Sequence, residues 1–284
     1  MPFLRKYLQD DDYRFEELLN GALLRAIEEA GSIPADRQPS EDEYRSRVKR
    51  CEGASADLVE IAAVTAHFGK DQQHDVLLRA LKQLATFESR GGIGSMNALR
   101  FYPAVLTFYA AGVAAVNKGN FALLRRFHAL ALVDPGYGLA PALRILSPSY
   151  ALRGPVQPPR EDQRAPKTPL SDRIFEVIKA PVLQLPMLKI KDCYEHVFSE
   201  FEYLNALAAA PAKGVHSYYG RFLWFPGVGI RSDNALLETV DGELKDLGKD
   251  WPPFKAGLFG ADFEAFKKAK AEVDKVAVEL SSRW

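Results

Sequence analysis

Residues 99–127 read LRFYPAVLTFYAAGVAAVNKGNFALLRRF. From Phe101 to Val116 no charged side chain interrupts the run, which is preceded by Arg100 and followed by Asn117 and Lys118. That length falls short of the roughly 20 apolar residues a membrane-spanning helix needs, so the run predicts a helix buried in protein. Pro103 fits its first turn, where a missing N–H is harmless, and Lys118-Gly119-Asn120 supplies a turn before a second helix from Phe121 to about Leu132. Gly112, Gly119, Phe121, Leu124, Ala131 and Pro135 lie close to the spacing of one tetratricopeptide unit, in which small residues let two antiparallel helices approach. No second copy follows at a period near the roughly 34 residues of such repeats, so a helical hairpin is expected and a repeat array is not.

Working outward, helical periodicity dominates. Phe15, Leu19, Leu23, Ala26, Ile27 and Ala30 predict a helix that begins with an aspartate cap among Asp10, Asp11 and Asp12 and ends at Gly31. Ser40 and Glu43 form a capping-box pattern that opens another helix. Two more are expected from about Ala56 to His67 and from about Asp71 to Glu88, with Gly69 as the stop between them. A glycine-rich loop over residues 90–94 precedes the apolar helix.

Residues 154–170, GPVQPPREDQRAPKTPL, combine five prolines with charge and little apolar bulk, the composition of a solvated linker or surface loop. They divide the chain into a helical part over residues 1–153, with the hairpin at 98–132 in its centre, and a second helical part over residues 171–284. The second part opens with Ile174, Val177 and Ile178, is interrupted by Pro181 and Pro186, and resumes from about Leu188 to Ala210 with an apolar stripe of Cys193, Val197, Phe201, Leu204 and Ala208. Residues 214–232, GVHSYYGRFLWFPGVGIRS, fit no helical period and predict short strands or a hairpin. Phe263, Phe266, Val273, Val276 and Leu280 mark a closing amphipathic helix. The fold class that follows is all-α or nearly so, with the two parts packed around the helix at 98–117.

Composition narrows the function classes. The chain has 284 residues, 47% of them hydrophobic, and Lys plus Arg equals Asp plus Glu at 37 each. A balanced charge gives no overall field to attract a polyanion, which argues against bulk nucleic-acid binding. Cys51 and Cys193 stand far apart with no partner at metal-ligand spacing, so neither a disulfide framework nor a zinc site is indicated, and a reducing compartment fits. The start, MPFLRKYLQDDDYRFEE, holds no apolar core of signal-peptide length, so a cytoplasmic protein with no membrane association is expected.

Three sequence features could carry chemistry. Asp192, His196 and Glu200 recur every four residues and would line one stripe of a helix with groups able to bind a divalent metal; the same spacing also suits a solvated face. His67, Asp71 and His74 straddle a helix break at Gly69 and need not share a face. Tyr218, Tyr219, Arg221, Trp224 and Arg231 set aromatic and basic side chains among glycines, a combination that suits a recognition surface, although Phe222, Trp224 and Phe225 could instead close the core with the arginines at its rim. The phosphate-cradling G-x-x-x-x-G-K-[ST], the nucleophile elbow G-x-S-x-G and H-E-x-x-H are missing, and Gly227-Val228-Gly229 is too short for a dinucleotide fingerprint.

Residues 99–127 and FEYLNALAAAPAKGVHSYYGRFLW at 201–224 resemble segments of the carboxy-terminal helical regions of large bacterial multidomain proteins, some with Toll-receptor-like or sirtuin-like effector domains, thought to act in antiphage defence. The resemblance covers about 50 residues, carries no catalytic motif, and implies a sensing or scaffolding role. The expected function is therefore a non-enzymatic sensor, adaptor or scaffold that requires no cofactor and binds a protein partner or small ligand, with self-association left open. The alternative is a metal-dependent hydrolase using Asp192, His196 and Glu200.

Overall fold

The computed structural model describes residues 2–10, 12–34, 36–86, 93–134, 138–154, 168–186, 188, 191–212, 220–223 and 236–282. Among these, the first part of the chain forms α1 (Pro2–Asp10), α2 (Asp12–Gly31), α3 (Glu41–Phe68), α4 (Asp71–Leu84), α5 (Gly94–Leu99), α6 (Tyr102–Lys118), α7 (Phe121–His128), strands β1 (Ala131–Asp134) and β2 (Gly138–Pro141), and the short helices α8 (Ala142–Ile145) and α9 (Pro148–Ala151). The second part forms α10 (Pro169–Val182), α11 (Lys191–Ala209), a 3-10 turn at Arg221–Leu223, α12 (Leu236–Leu247), α13 (Pro252–Lys255) and α14 (Phe263–Ser282). Among the described residues the protein is all-α apart from one small antiparallel pair, in which Ala131 faces Pro141 and Asp134 faces Gly138.

The hairpin of α6 and α7 forms for the reasons its sequence contains. Gly119 takes the left-handed conformation at φ 71°. Its N–H donates to Val116 O and the N–H of Asn120 to Ala115 O, the paired bonds of a Schellman stop. Asn120 then caps α7, its Oδ1 accepting from Leu123 N at 3.1 Å. Every residue of α6 from Tyr102 to Val116 is buried. The stretch Gly94–Lys118 is long and apolar enough to cross a membrane by composition, yet its apolar window is wholly enclosed by protein.

The most extensive helix contact is between α3 and α6; α1, α2 and α4 pack against α3, and α10 and α11 pack against α6. Buried side chains from both sides of the Pro-rich segment, such as Leu58 and Leu106 before it and Ile178 and Phe198 after it, belong to one contiguous core. The described ends of that segment both return to α3. The N–H of Gly154 donates to the hydroxyl of Tyr44 at 3.2 Å, and Arg173 reaches Glu52. Tyr44 and Glu52 are eight residues apart on α3, about 12 Å at the helical rise.

Four expectations are corrected, and a fifth, the strands at 214–232, falls mostly outside the described residues. The helix opened at Ser40, whose Oγ accepts from Glu43 N at 3.1 Å, runs unbroken to Phe68 and absorbs the helix expected from Ala56. Gly53 sits on its exposed side, and the cost of about 1 kcal/mol for a glycine in a helix does not break one so well capped and packed. The second helix of the hairpin stops at His128 rather than Leu132, because Ala131, Leu132 and Val133 pair as β1. Within 214–232 the described part, residues 220–223, contains a 3-10 turn. On α11 the most buried line includes Tyr194, Phe198, Phe201 and Asn205, whereas Cys193 and Val197 are partly exposed. Pro181 lies inside the last turn of α10 without ending it.

Candidate functional site

The start of α10 gathers buried and partly buried polar and charged groups from several elements. Successive residues on a helix point about 100° apart, so three in a row fan out towards three different neighbours. Ser171 turns to α11, where its hydroxyl donates to Glu202 Oε1 at 2.6 Å. Asp172 turns to the 3-10 turn and pairs with the guanidinium of Arg221. Arg173 turns to α3 and grips Glu52 with two bonds, Nε to Oε1 at 2.7 Å and the terminal nitrogen to Oε2 at 3.0 Å. The hydroxyl of Tyr102 on α6 adds a third bond to Glu52 at 2.8 Å. One turn of helix thus ties α3, α6, α11 and the turn at Arg221–Leu223 together.

Glu202 is the most enclosed carboxyl of this group, at 2% exposure. Its Oε2 accepts the backbone N–H of Arg221 at 2.8 Å, and the hydroxyl of Tyr109 stands 3.5 Å from Oε1. Gly220 makes the approach feasible, because a Cβ there would lie 2.0 Å from Glu202 Oε2. Burial raises the Glu202 carboxyl to about 7, against the lowering pull of the Ser171 hydroxyl and of the Arg221 amide and guanidinium. The Arg221 guanidinium also lies 3.9 Å over the ring of Phe175. Phe175 in turn stacks on Tyr194 at 4.5 Å, and the hydroxyl of Tyr194 donates to Phe175 O at 2.7 Å. Phe222 and Leu223 are buried. Phe222 packs on the ring of Tyr203 at 5.6 Å, and Tyr203 donates to Asp274 on α14 at 2.7 Å.

Of the residues singled out in the aromatic and basic segment, Arg221 alone is described. Tyr218, Tyr219, Trp224 and Arg231 lie outside the described residues. Arg221 is an anchor, with a side chain 13% exposed and engaged by Asp172 and Phe175, rather than the rim residue considered above.

His196 and Glu200 stand one turn apart on α11, both partly exposed, while the side chain of Asp192 lies outside the described residues. Burial lowers the His196 imidazole, with the Glu243 carboxylate of α12 pulling the other way. Burial and then the same carboxylate raise Glu200 to about 7. Glu243 itself accepts from Trp251 Nε1 at 2.8 Å. Among the described residues no group of three His, Cys, Asp or Glu side chains could hold a metal ion. His67 and His74 are buried, and Asp71 between them has a fully exposed side chain 3.8 Å from His74 Nδ1. His128 is partly buried, with Nε2 2.8 Å from Asn205 Oδ1, and burial lowers it to about 4.

The polar cluster around Glu202 was not singled out from sequence. The available signal was a carboxylate inside the apolar run FEYLNAL at 201–207, where burial demands partners that the local sequence does not supply. Comparison with known proteins found no matching family model, no matching curated protein and no matching solved structure.

Proposed function

We propose that the chain is a non-enzymatic sensor or adaptor that binds a protein partner or small ligand through the aromatic and basic segment around Arg221. The observation that carries this reading is the anchoring of the segment's centre. Backbone and side chain of Arg221 are both fixed, to Glu202, Asp172 and Phe175, and Phe222 and Leu223 are buried beside them. An anchored turn lowers the ordering cost that a loop would otherwise meet on binding. The buried ionisable groups nearby support the same reading, since Glu202, Asp172, Arg173 and Glu52 all make bonds that join helices. The resemblance noted in the sequence suggests bacterial antiphage defence as the setting.

The experiment that separates this reading from a metal-dependent hydrolase is metal analysis of the purified protein beside its His196→Ala variant. Sub-stoichiometric metal in both is the expected result. A stoichiometric transition metal in the wild type that is lost on His196→Ala would replace the adaptor with the enzyme using Asp192, His196 and Glu200.

A further inference from the structure

We propose that the groove between α12 and α14 binds a free α-amino acid with an apolar side chain, at a site separate from the segment around Arg221. The groove has a volume of about 510 Å³, a size suited to a small molecule. Leu244, Phe263 and Ala271 give it an apolar floor. Leu244 and Phe263 are only half-buried, packed on the core behind them, and Ala271 is exposed, so this floor offers apolar area that a ligand can cover.

The polar end of the groove is built around a buried ammonium. The side chain of Lys270 is 8% exposed, deep for a lysine. Its Nζ donates to Asp241 Oδ1 and to Asp274 Oδ2, and Asp274 Oδ1 accepts the Tyr203 hydroxyl at 2.7 Å. Both oxygens of Asp274 are thus engaged. An ammonium has three N–H donors, and among the described residues the third of Lys270 meets no acceptor, while Asp241 Oδ2 meets no donor. Because Asp241 is held on Nζ by its other oxygen, this spare donor and spare acceptor stand side by side. Lys245, one turn beyond Asp241, also lines the groove and pairs with no carboxylate among the described residues. Lys267, the remaining charged group of the lining, is paired with Glu264 at 2.8 Å.

The charges select the ligand. Lys270 and Asp274 offset each other, which leaves the Asp241 carboxylate and the Lys245 ammonium. A ligand of a single charge would match one of these and be repelled by the other. A group carrying both charges on one carbon satisfies both: its ammonium donates to Asp241 Oδ2, and its carboxylate accepts from the third N–H of Lys270 and from Lys245. The side chain on that same carbon then lies over Leu244, Phe263 and Ala271.

Isothermal titration calorimetry of the full chain at neutral pH, with L-leucine and L-phenylalanine as probes, tests the site. Saturable binding of at least one of them is expected, with Kd below about 1 mM. The tighter of the two is then compared with its amine and its acid: isoamylamine and isocaproate for leucine, phenethylamine and hydrocinnamate for phenylalanine. Each lacks one of the two charges and should bind at least about tenfold more weakly. Asp241→Asn, at a side chain 65% exposed, and Ala271→Leu, which fills the floor, should each weaken binding at least about tenfold while remaining folded by circular dichroism. The comparison of amine and acid needs no variant and decides the matter should neither fold. No saturable binding of either amino acid up to about 10 mM, an amine or acid that binds as tightly as its amino acid, or unchanged binding in either folded variant would overturn the proposal.

Discussion

A Cβ placed on Gly112 would lie 2.0 Å from Cε2 of Phe201, so α6 and α11 meet here as bare backbone against an aromatic ring. The contact sits inside an aromatic cluster, with Phe108 and Tyr109 at 5.3 and 5.0 Å from the same ring. Gly112→Ala should destabilise the protein by about 1–3 kcal/mol through overpacking, measured by urea denaturation. Adding Phe201→Leu should recover part of that loss. Wild-type stability in Gly112→Ala would contradict the close approach.

The Glu52–Arg173 pair joins the first part of the chain to the second. Its side chains are 17% and 29% exposed, so its contribution is discounted from that of a buried pair. A double-mutant cycle with Glu52→Gln and Arg173→Gln should return a coupling energy of about 1 kcal/mol, raised above that of a surface pair by the bidentate geometry. Additive single effects would show that the bonds do not tie the two parts.

Stability should respond to pH in two opposed ways. Glu200 and Glu202 are raised to about 7 from 4.5, so their contribution is fully present below 4.5 and is lost as pH rises through about 7. His128 is lowered to about 4 from 6.5, so its contribution is present above 6.5 and is lost as pH falls through about 4. His67, His74 and His196 are lowered as well and act in the same direction as His128. Above about pH 6.5 the histidine contributions are fully present, so from there into mild alkali the two carboxyls should make denaturation midpoints decline. Glu200→Gln should shallow that decline, and His128→Gln should shallow the loss in acid. Midpoints that climb steadily through neutrality would contradict the carboxyl assignments.

How much of this was legible in sequence depended on whether the causes were local. The α6–α7 hairpin could be read because an uncharged run, a left-handed glycine stop and an asparagine cap are all local signals. The continuity of α3 could not, because Gly53 looks like a break until packing on α6 is known to hold the helix through it. Ala131, Leu132 and Val133 continue a helical period as well as they form a strand, and only pairing with Gly138–Pro141 decides between them. The Glu202 cluster escaped because Ser171 and Arg221 lie 31 and 19 residues away. Arg221 was singled out for its type, but its partners, and hence its role as an anchor, are set by tertiary structure.

One core should survive a cut between its two parts. A protease site introduced between Pro159 and Pro166, followed by cleavage, should leave both fragments in one particle on size exclusion, because side chains from both sides interleave in the same apolar cluster. Separation of the fragments under native conditions would show instead that the parts fold independently.

The most direct test of the proposed binding role is capture from the native host with immobilised wild type and a Tyr218→Ala, Tyr219→Ala, Arg231→Ala variant. These positions avoid the anchor at Arg221, whose loss would leave Asp172 without its ion-pair partner and expose the Phe175 ring. Circular dichroism melts of the two proteins should coincide, and a partner retained by the wild type should be lost or weakened at least about tenfold in the variant, as expected when residues at the heart of an interface are truncated. An unchanged set of partners with unchanged retention would contradict the claim that this segment is where the protein binds.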